Sequence, residues 1–378
     1  NALLTRADAL GCFYVESPAM RMLMTKLSVN NYLGLVAASS VIRPGVSQSG
    51  MMRTYILRHR FPEERKKAHP LLLKIMPETY GVMVYQEDVI KVAHYFAGLT
   101  LGESDVLRRG MSGKFRSRSE FLVIKEKFFQ NCGNKGYRFE LIKSIWDQIE
   151  SFAGYAFAKG HSASYAVESY QSLYLKAYYP LEYMTACINN FGGFYRTEFY
   201  IYEARKLGAR VEAPCIQRGA YQSVLKGVVL ILGFNLVNGV ERNTIRNIVR
   251  YRSDFGHFKS FEELLDRVYI PFEQLVLLIR IDALRCFGIP RKELLWHAHF
   301  FHDKTPKSNQ SLLPLSASST KPNKLPILKE HRLELDFEYL ELMGFSLCSP
   351  FELLALPVAS NCSPVVFPSF KGKVVQVY

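Results

Sequence analysis

The chain has 378 residues, 48% of them hydrophobic and 22% charged, with a formal net charge of +14. That length exceeds what one small core organises, so two to four domains are expected. No run of about 18 apolar residues occurs, which argues against a membrane span, and seven cysteines without a CxxC pair argue against a disulfide framework or a structural zinc site and suit a reducing cytoplasm.

Taken in chain order, the sequence opens NALLTRADAL, with neither a starter methionine nor a basic-then-apolar leader. Both this end and the closing GKVVQVY, an alternating strand-like run, read as cuts through a longer protein. Residues 1–60 alternate short apolar runs with turn signals such as ESPAM and RPGVSQSG. Residues 51–75 and 106–127 each carry seven cations and two acids, so five net charges apiece and ten of the fourteen. A charge excess focused in this way fits a polyanion partner; solvated helix faces are the plainer reading.

From Tyr80 the pattern turns helical, with Val84, Val89, Ile90, Val92, Ala93 and Phe96 on one face. Further helices are predicted over Phe121–Asn131, Glu140–Phe152 and Ser162–Tyr178, the last capped by the Ser162 hydroxyl. NNFGGFY reads as a loop, and Val224–Phe234 as a short strand or a buried helix start. Helices resume at Asn243–Arg252, Phe261–Arg267 and Pro271–Cys286. Residues 303–328, rich in Ser, Pro and Lys, read as a linker. A short helix follows at Leu335–Phe345, and Val365–Tyr378 begins a β domain.

Three constellations invite chemistry. Lys159, His161, Ser162 and Ser164 lie within six residues at a helix start. A nucleophilic Ser–His pair needs facing side chains, an orienting carboxylate and an oxyanion hole, and adjacent residues rarely face each other. Phosphate binding fits better, because helix N-terminal amides and the dipole favour an anion and Lys159 adds charge. Tyr155 and Phe157 could stack on a base, and a capped helix with a solvated lysine is the plain alternative. Arg108 and Arg109 form the second group. Consecutive helical residues diverge by about 100°, so both reach one anion only if the helix ends, and Gly110 is read as that end. Metal sites are what the sequence lacks. His297, His299 and His302 have no Cys or acidic cluster beside them, and Glu334, Asp336 and Glu338 interleave with apolar residues as an amphipathic edge does. No Asp-x-Asp pair occurs for two-metal phosphoryl transfer.

Six ordered segments together resemble the alpha subunit of bacterial DNA polymerase III, the C-family polymerases: GCFYVESPAM (11–20), IRPGVSQSGMM (42–52), TYGVMVYQEDV (79–89), LGESDVLRRGM (101–111), GYAFAKGHSASYA (154–166) and YLKAYYPLEYM (174–184). In that family these belong to the fingers domain. LILGFNLVNGVERNTIRNIV (230–249), FEELLDRV and LLIRIDALRCFG (277–288) resemble its tandem helix-hairpin-helix unit, with Glu241 where the family has a second hairpin glycine, a carboxylate set against phosphate. FEYLELMGFSL and GKVVQVY resemble the approach to its OB domain and the first strand.

The resemblance implies a mainly α fold: fingers over 1–200, a helix-hairpin-helix and clamp-binding region over 201–302, a flexible linker over 303–334, and a truncated OB-type start over 335–378. It implies a DNA-directed DNA polymerase that extends a primer 3′ end, replicative or error-prone. Here LRRGMSGKFRSRSEF departs from the replicative type, and INNFGGFY resembles the loop of the error-prone paralogue. Arg108, Arg109, Lys159, His161, Tyr155 and Phe157 would meet the incoming dNTP. Arg43, Lys114, Arg116, Arg118, Gly233 and Gly239 would meet primer–template DNA. Gln310, Leu312 and Leu313 sit where the family binds its sliding clamp, Leu313 standing where an aromatic is usual. The family's PHP domain, palm and thumb precede the first motif, and the palm holds Mg2+, so no catalytic or metal residue is expected here and this stretch alone should be inactive. Other replisome or mutasome subunits, a cytoplasmic location and no membrane contact complete the expectation. The competing reading is a stand-alone, non-enzymatic nucleic-acid-binding module.

Overall fold

The computed structural model describes residues 1–111, 118–151, 158–303 and 329–353. They gather into two units, one of residues 1–183 with 192–196, the other of 184–191 with the chain from 197 onward.

The first unit is helical. Its elements are α1 (Ala2–Thr5), α2 (Pro18–Leu27), α3 (Tyr32–Val41), α4 (Pro44–Gln48), α5 (Met51–Arg60), α6 (Pro70–Ile75), α7 (Gln86–Lys91), α8 (Leu101–Met111), α9 (Arg118–Asn134), α10 (Phe139–Ser151) and α11 (Lys159–Tyr178). The turn signals of the first sixty residues are the starts of these helices. Ser17 accepts from Met20 N–H with Pro18 at the first position of α2, and Asn31 accepts from Gly34 N–H to open α3. A π-type turn at Val92–Phe96 extends α7 and keeps Val92, Ala93 and Phe96 buried, as the spacing predicts.

α11 packs on α3. Small side chains permit the approach: Ser40 and Ser162 hydroxyls meet at 2.5 Å, and Tyr32 donates to the Ala163 carbonyl. Ser162 is therefore buried between helices instead of capping α11, which begins three residues earlier at Lys159 behind Ala158. At the far end of α11 the fully buried Lys176 ammonium reaches the Asp8 carboxylate at 3.3 Å and the Leu10 carbonyl at 3.0 Å. Trp146 of α10 is sealed among Phe121, Phe128 and Phe129 of α9.

The chain passes into the second unit within α12 (Pro180–Asn189). After α13 (Thr197–Lys206), β1 (Arg210–Glu212) pairs in parallel with β3 (Val229–Ile231), and β2 (Val224–Lys226) pairs antiparallel with β3. Val224–Phe234 is thus a hairpin and not a helix start. Then come a 3-10 turn (Phe234–Leu236), α14 (Arg242–Phe255), α15 (Phe261–Arg267), α16 (Phe272–Arg280), α17 (Arg291–Asp303) and α18 (Glu334–Met343). The helix predicted over Pro271–Cys286 stops at Arg280, because Asp282 takes φ +57°. Among the described residues, no helix is long and apolar enough to cross a membrane.

Candidate functional site

Start with the first turn of α11. Its leading amide, Lys159 N–H, donates to both oxygens of Glu87, at 3.1 and 3.0 Å. The favourable place for an anion at a helix N-terminus is thus filled by a carboxylate from α7. The Lys159 ammonium pairs with Glu78 and lies 5.4 Å from the Tyr85 ring centroid. These groups, with Lys74, Asp88 and Lys91, line a cleft of about 300 Å³. α7 itself is fixed by Asp88, whose carboxylate accepts from Val84 and Tyr85 N–H at 3.0 Å each. Burial raises the Asp88 carboxyl pKa, and those two amides act against the shift. His161, two residues along, is exposed.

The arginine pair repeats this arrangement. α8 does not end at Gly110 but continues to Met111, since a helix tolerates an interior glycine at a cost of about 1 kcal/mol. Both guanidinium groups instead turn back to one carboxylate. Arg108 reaches Asp105 at 2.8 Å and Arg109 reaches its other oxygen at 3.0 Å. Helical spacing of three and four residues makes that possible. α8 packs on α7. Arg109 also lines a cleft of about 620 Å³ with Val106, Glu120 and Val123.

Arg43 is brought to the other flank of α11. Its guanidinium lies 5.0 Å from the Tyr14 ring centroid, Tyr14 lies 5.0 Å from Tyr165 of α11, and burial lowers the Arg43 pKa. In the basic window of residues 51–75, Arg58 donates to the Tyr80 carbonyl at 2.8 Å, and Arg65 covers the Tyr80 ring at 4.1 Å. Those two are structural, whereas Arg53, Arg60, Lys66 and Lys74 are exposed. In the other window Lys125 pairs with Glu150 and Lys127 with Glu103.

In the second unit, Gly233 has no room for a Cβ, which would fall against Asn235 Oδ1 and the Ser223 amide. Gly239 takes φ +82° in the turn before α14. Amides on both sides of Gly239 bond within the protein. Asn238 N–H donates to the Leu342 carbonyl of α18 at 2.7 Å, and Glu241 N–H donates to Gln274 Oε1 at 2.8 Å. The buried Gln274 closes the loop by donating to the Gly239 carbonyl at 2.9 Å.

Tyr155, Phe157, Lys114, Arg116, Gln310, Leu312 and Leu313 lie outside the described residues, as does the side chain of Arg118. Sequence reasoning missed Glu78, Glu87, Asp105 and Gln274. Only Asp105 carried a local signal, its spacing to the two arginines. Among the described residues, no group of three or more His, Cys, Asp and Glu could hold a metal. His299 stands edge-on to Phe272, while Glu334 and Glu338 pair with Lys292 and Arg280.

Comparison with known proteins matches residues 1–136 to the finger domain of the bacterial DNA polymerase III alpha subunit and residues 208–294 to a helix-hairpin-helix motif. The DNA polymerase III subunit alpha of Saccharopolyspora erythraea is 33% identical over 304 residues, which is 78% of this chain and 25% of that protein. That of Pasteurella multocida is 34% identical over 295 residues, 75% of this chain and 25% of that protein. The error-prone DNA polymerase of Bdellovibrio bacteriovorus is 31% identical over 301 residues, 78% and 28% respectively. The chain thus spans about a quarter of the length of these relatives, and both named kinds match it to a similar degree.

Proposed function

The chain belongs to the bacterial DNA polymerase III alpha-subunit family, and from that premise we propose that it is the fingers and helix-hairpin-helix portion of a DNA-directed DNA polymerase. Residues 1–200 form the fingers, 201–302 the hairpin region, 303–334 a linker, and 335–378 the approach to an OB domain. The first portion receives the incoming dNTP and the primer–template; Gln310, Leu312 and Leu313 serve as a clamp-binding segment. The protein works in the cytoplasm, in replication or in error-prone synthesis.

One observation carries the nucleotide reading. Two cationic groups, Lys159 with the α11 amide and Arg108 with Arg109, each hold a carboxylate of the protein where phosphate oxygens would bind. A triphosphate displaces Glu87 from the amide and Asp105 from the arginine fork, so both binding groups are already oriented. His161, Tyr155 and Phe157 then border the base pair. In this reading the divalent cation is held by the family's palm, and these residues bind and orient the nucleotide.

The test is single-turnover incorporation by the complete polymerase. Removing a charge-assisted contact made to developing charge costs about 2–4 kcal/mol, so Arg108→Ala and Arg109→Ala should each slow incorporation roughly 30- to 1,000-fold with an unchanged melting temperature. Lys159→Ala should act less strongly, since a lysine is a point charge without the fork. Near-normal rates at saturating nucleotide, with lowered melting temperatures, would mean that the arginines only brace α8.

A further inference from the structure

The second unit holds a cleft of about 500 Å³. It is lined by Asn189 and Phe191 at the end of α12, Tyr221 and Gln222 before β2, Asn235 of the 3-10 turn and Arg242 at the start of α14. That volume falls within the roughly 300–1,000 Å³ of small-ligand sites. The Asn189 carboxamide donates to the Ser223 carbonyl at 2.9 Å and accepts from the Ser223 amide at 2.7 Å. From the other side the Asn235 amide donates to the Tyr221 carbonyl at 2.8 Å, and the Gly233 amide to Ser223 Oγ at 2.9 Å. Residues 221–223 are gripped from two directions, so the Tyr221 ring stands on a preformed support.

Phe191 is 62% exposed and takes φ +59°, a left-handed backbone that a bulky side chain adopts only under strain. Gly192 and Gly193 follow directly, and a glycine at position 191 would end α12 without that strain. The ring at the mouth of the cleft is therefore kept against the preference of the backbone. Arg242 is exposed, and its guanidinium lies 5.4 Å from the Tyr221 ring centroid. Among the described residues it pairs with no carboxylate. Arg246 and Arg250 follow at four-residue steps and are exposed too, while Thr244, Ile245 and Ile248 are buried. Arg250 has Asp254 at 3.8 Å, an exposed pair. Three guanidinium groups thus line one side of α14, about 6 Å apart along its axis.

We propose that the cleft and this arginine row form a binding site for single-stranded DNA, with one unpaired base in the cleft. The base takes the place of the Arg242 guanidinium on the Tyr221 ring, Phe191 borders it, and the released guanidinium meets the adjoining phosphate. The next phosphates meet Arg246 and Arg250, whose spacing suits an extended strand. Duplex DNA keeps its bases paired and stacked and offers none to the cleft. A free triphosphate fits poorly, because the cleft sets one guanidinium against several charges, whereas a phosphodiester carries one. Every base has a stacking face, so the site tolerates any sequence. It lies within the second unit, and binding reads it without incorporation, so its failure would leave the nucleotide reading of the first unit standing.

The test measures fluorescence anisotropy of the chain with a labelled oligothymidylate of about eight nucleotides and, in parallel, with a blunt duplex of similar length. Tyr221→Ala should weaken single-strand binding roughly 5- to 150-fold and leave duplex binding as it was. Tyr221→Phe, which keeps the ring, should bind as the parent does. Arg242→Gln should lower the slope of log affinity against log salt by about 0.7 for the single strand. Phe191→Gly should weaken single-strand binding with an unchanged or raised melting temperature, since it relieves the left-handed residue. A lowered melting temperature with binding kept would make Phe191 a packing residue and overturn the proposal. So would single-strand affinity unmoved by Tyr221→Ala, equal weakening of duplex and single strand, or displacement of the oligonucleotide by thymidine monophosphate at comparable concentration.

Discussion

Two helix starts each have an amide held from a distance, and the chemistry differs. At α11 the acceptor is the Glu87 carboxylate from α7, a charged group bordering an open cleft. At α14 it is the neutral carboxamide of Gln274, buried in α16 and bonded in turn to the Gly239 carbonyl. A carboxylate interacts with the helix dipole as a phosphate does, so another anion can exchange for it. A carboxamide that accepts from one strand of a turn and donates to the other is a staple, and no anion replaces both halves. The resemblance to known hairpins suggested that the glycine turn of the second unit would hold phosphate. Of these two acceptors, the one at α11 is the group that a phosphate could simply replace.

The largest expected effect concerns where phosphates bind. If about six phosphates are neutralised, DNA affinity should fall on the order of a thousandfold between 50 and 200 mM salt. Neutralising Arg53, Arg60 or Lys66 should lower the slope of log affinity against log salt by about 0.9 each, measured by fluorescence anisotropy. A slope unmoved by these changes would return the contacts to the hairpin. Next in size is Gln274→Leu, which strands the Glu241 amide and the Gly239 carbonyl in a buried place. Stability should drop by about 1–3 kcal/mol in urea titration, without loss of DNA binding. A smaller effect is expected of Glu87→Gln, which keeps the acceptor and removes its charge. Weakening the competitor by about 0.3–1 kcal/mol should tighten nucleotide binding roughly two- to fivefold. Weaker nucleotide binding would show Glu87 to be a ligand contact and not a stand-in. The smallest is Glu241→Gly, which restores the hairpin glycine. With the Asn238, Val240 and Glu241 amides bonded inside the protein, DNA affinity should change less than about twofold at low salt, and a clear gain would make the hairpin a phosphate site.

How much of this could be read in the sequence depends on how local each interaction is. Helical periodicity located α9, α10 and the body of α11 because their buried faces are set by neighbours three and four residues away. The start of α11 was misplaced because the obvious local cap, Ser162, is buried against Ser40, 122 residues distant, while the actual acceptor comes from Glu87. Net charge suggested the polyanion partner but could not sort its cations. Arg58 and Arg65 look like surface charge in the sequence, yet they hold the Tyr80 turn. The hairpin glycines were legible as glycines; Gln274, which decides what their turn can bind, lies beyond any local pattern.

The buried ammonium of Lys176 bears on how α11 can move. Freeing it from Asp8 and Leu10 would leave a charge unpaired in the interior, a change that typically costs about 3–5 kcal/mol. Residues 8–10 therefore pin this end of α11. Lys159 stands seventeen residues from Lys176, a lever of roughly 25 Å at 1.5 Å per residue. A tilt of about 10° about that pivot swings the Lys159 end through roughly 4 Å, more than the length of a hydrogen bond. Such a tilt would also have to part Ser162 from Ser40 and Tyr32 from the Ala163 carbonyl, so the Lys159 end is held from both sides.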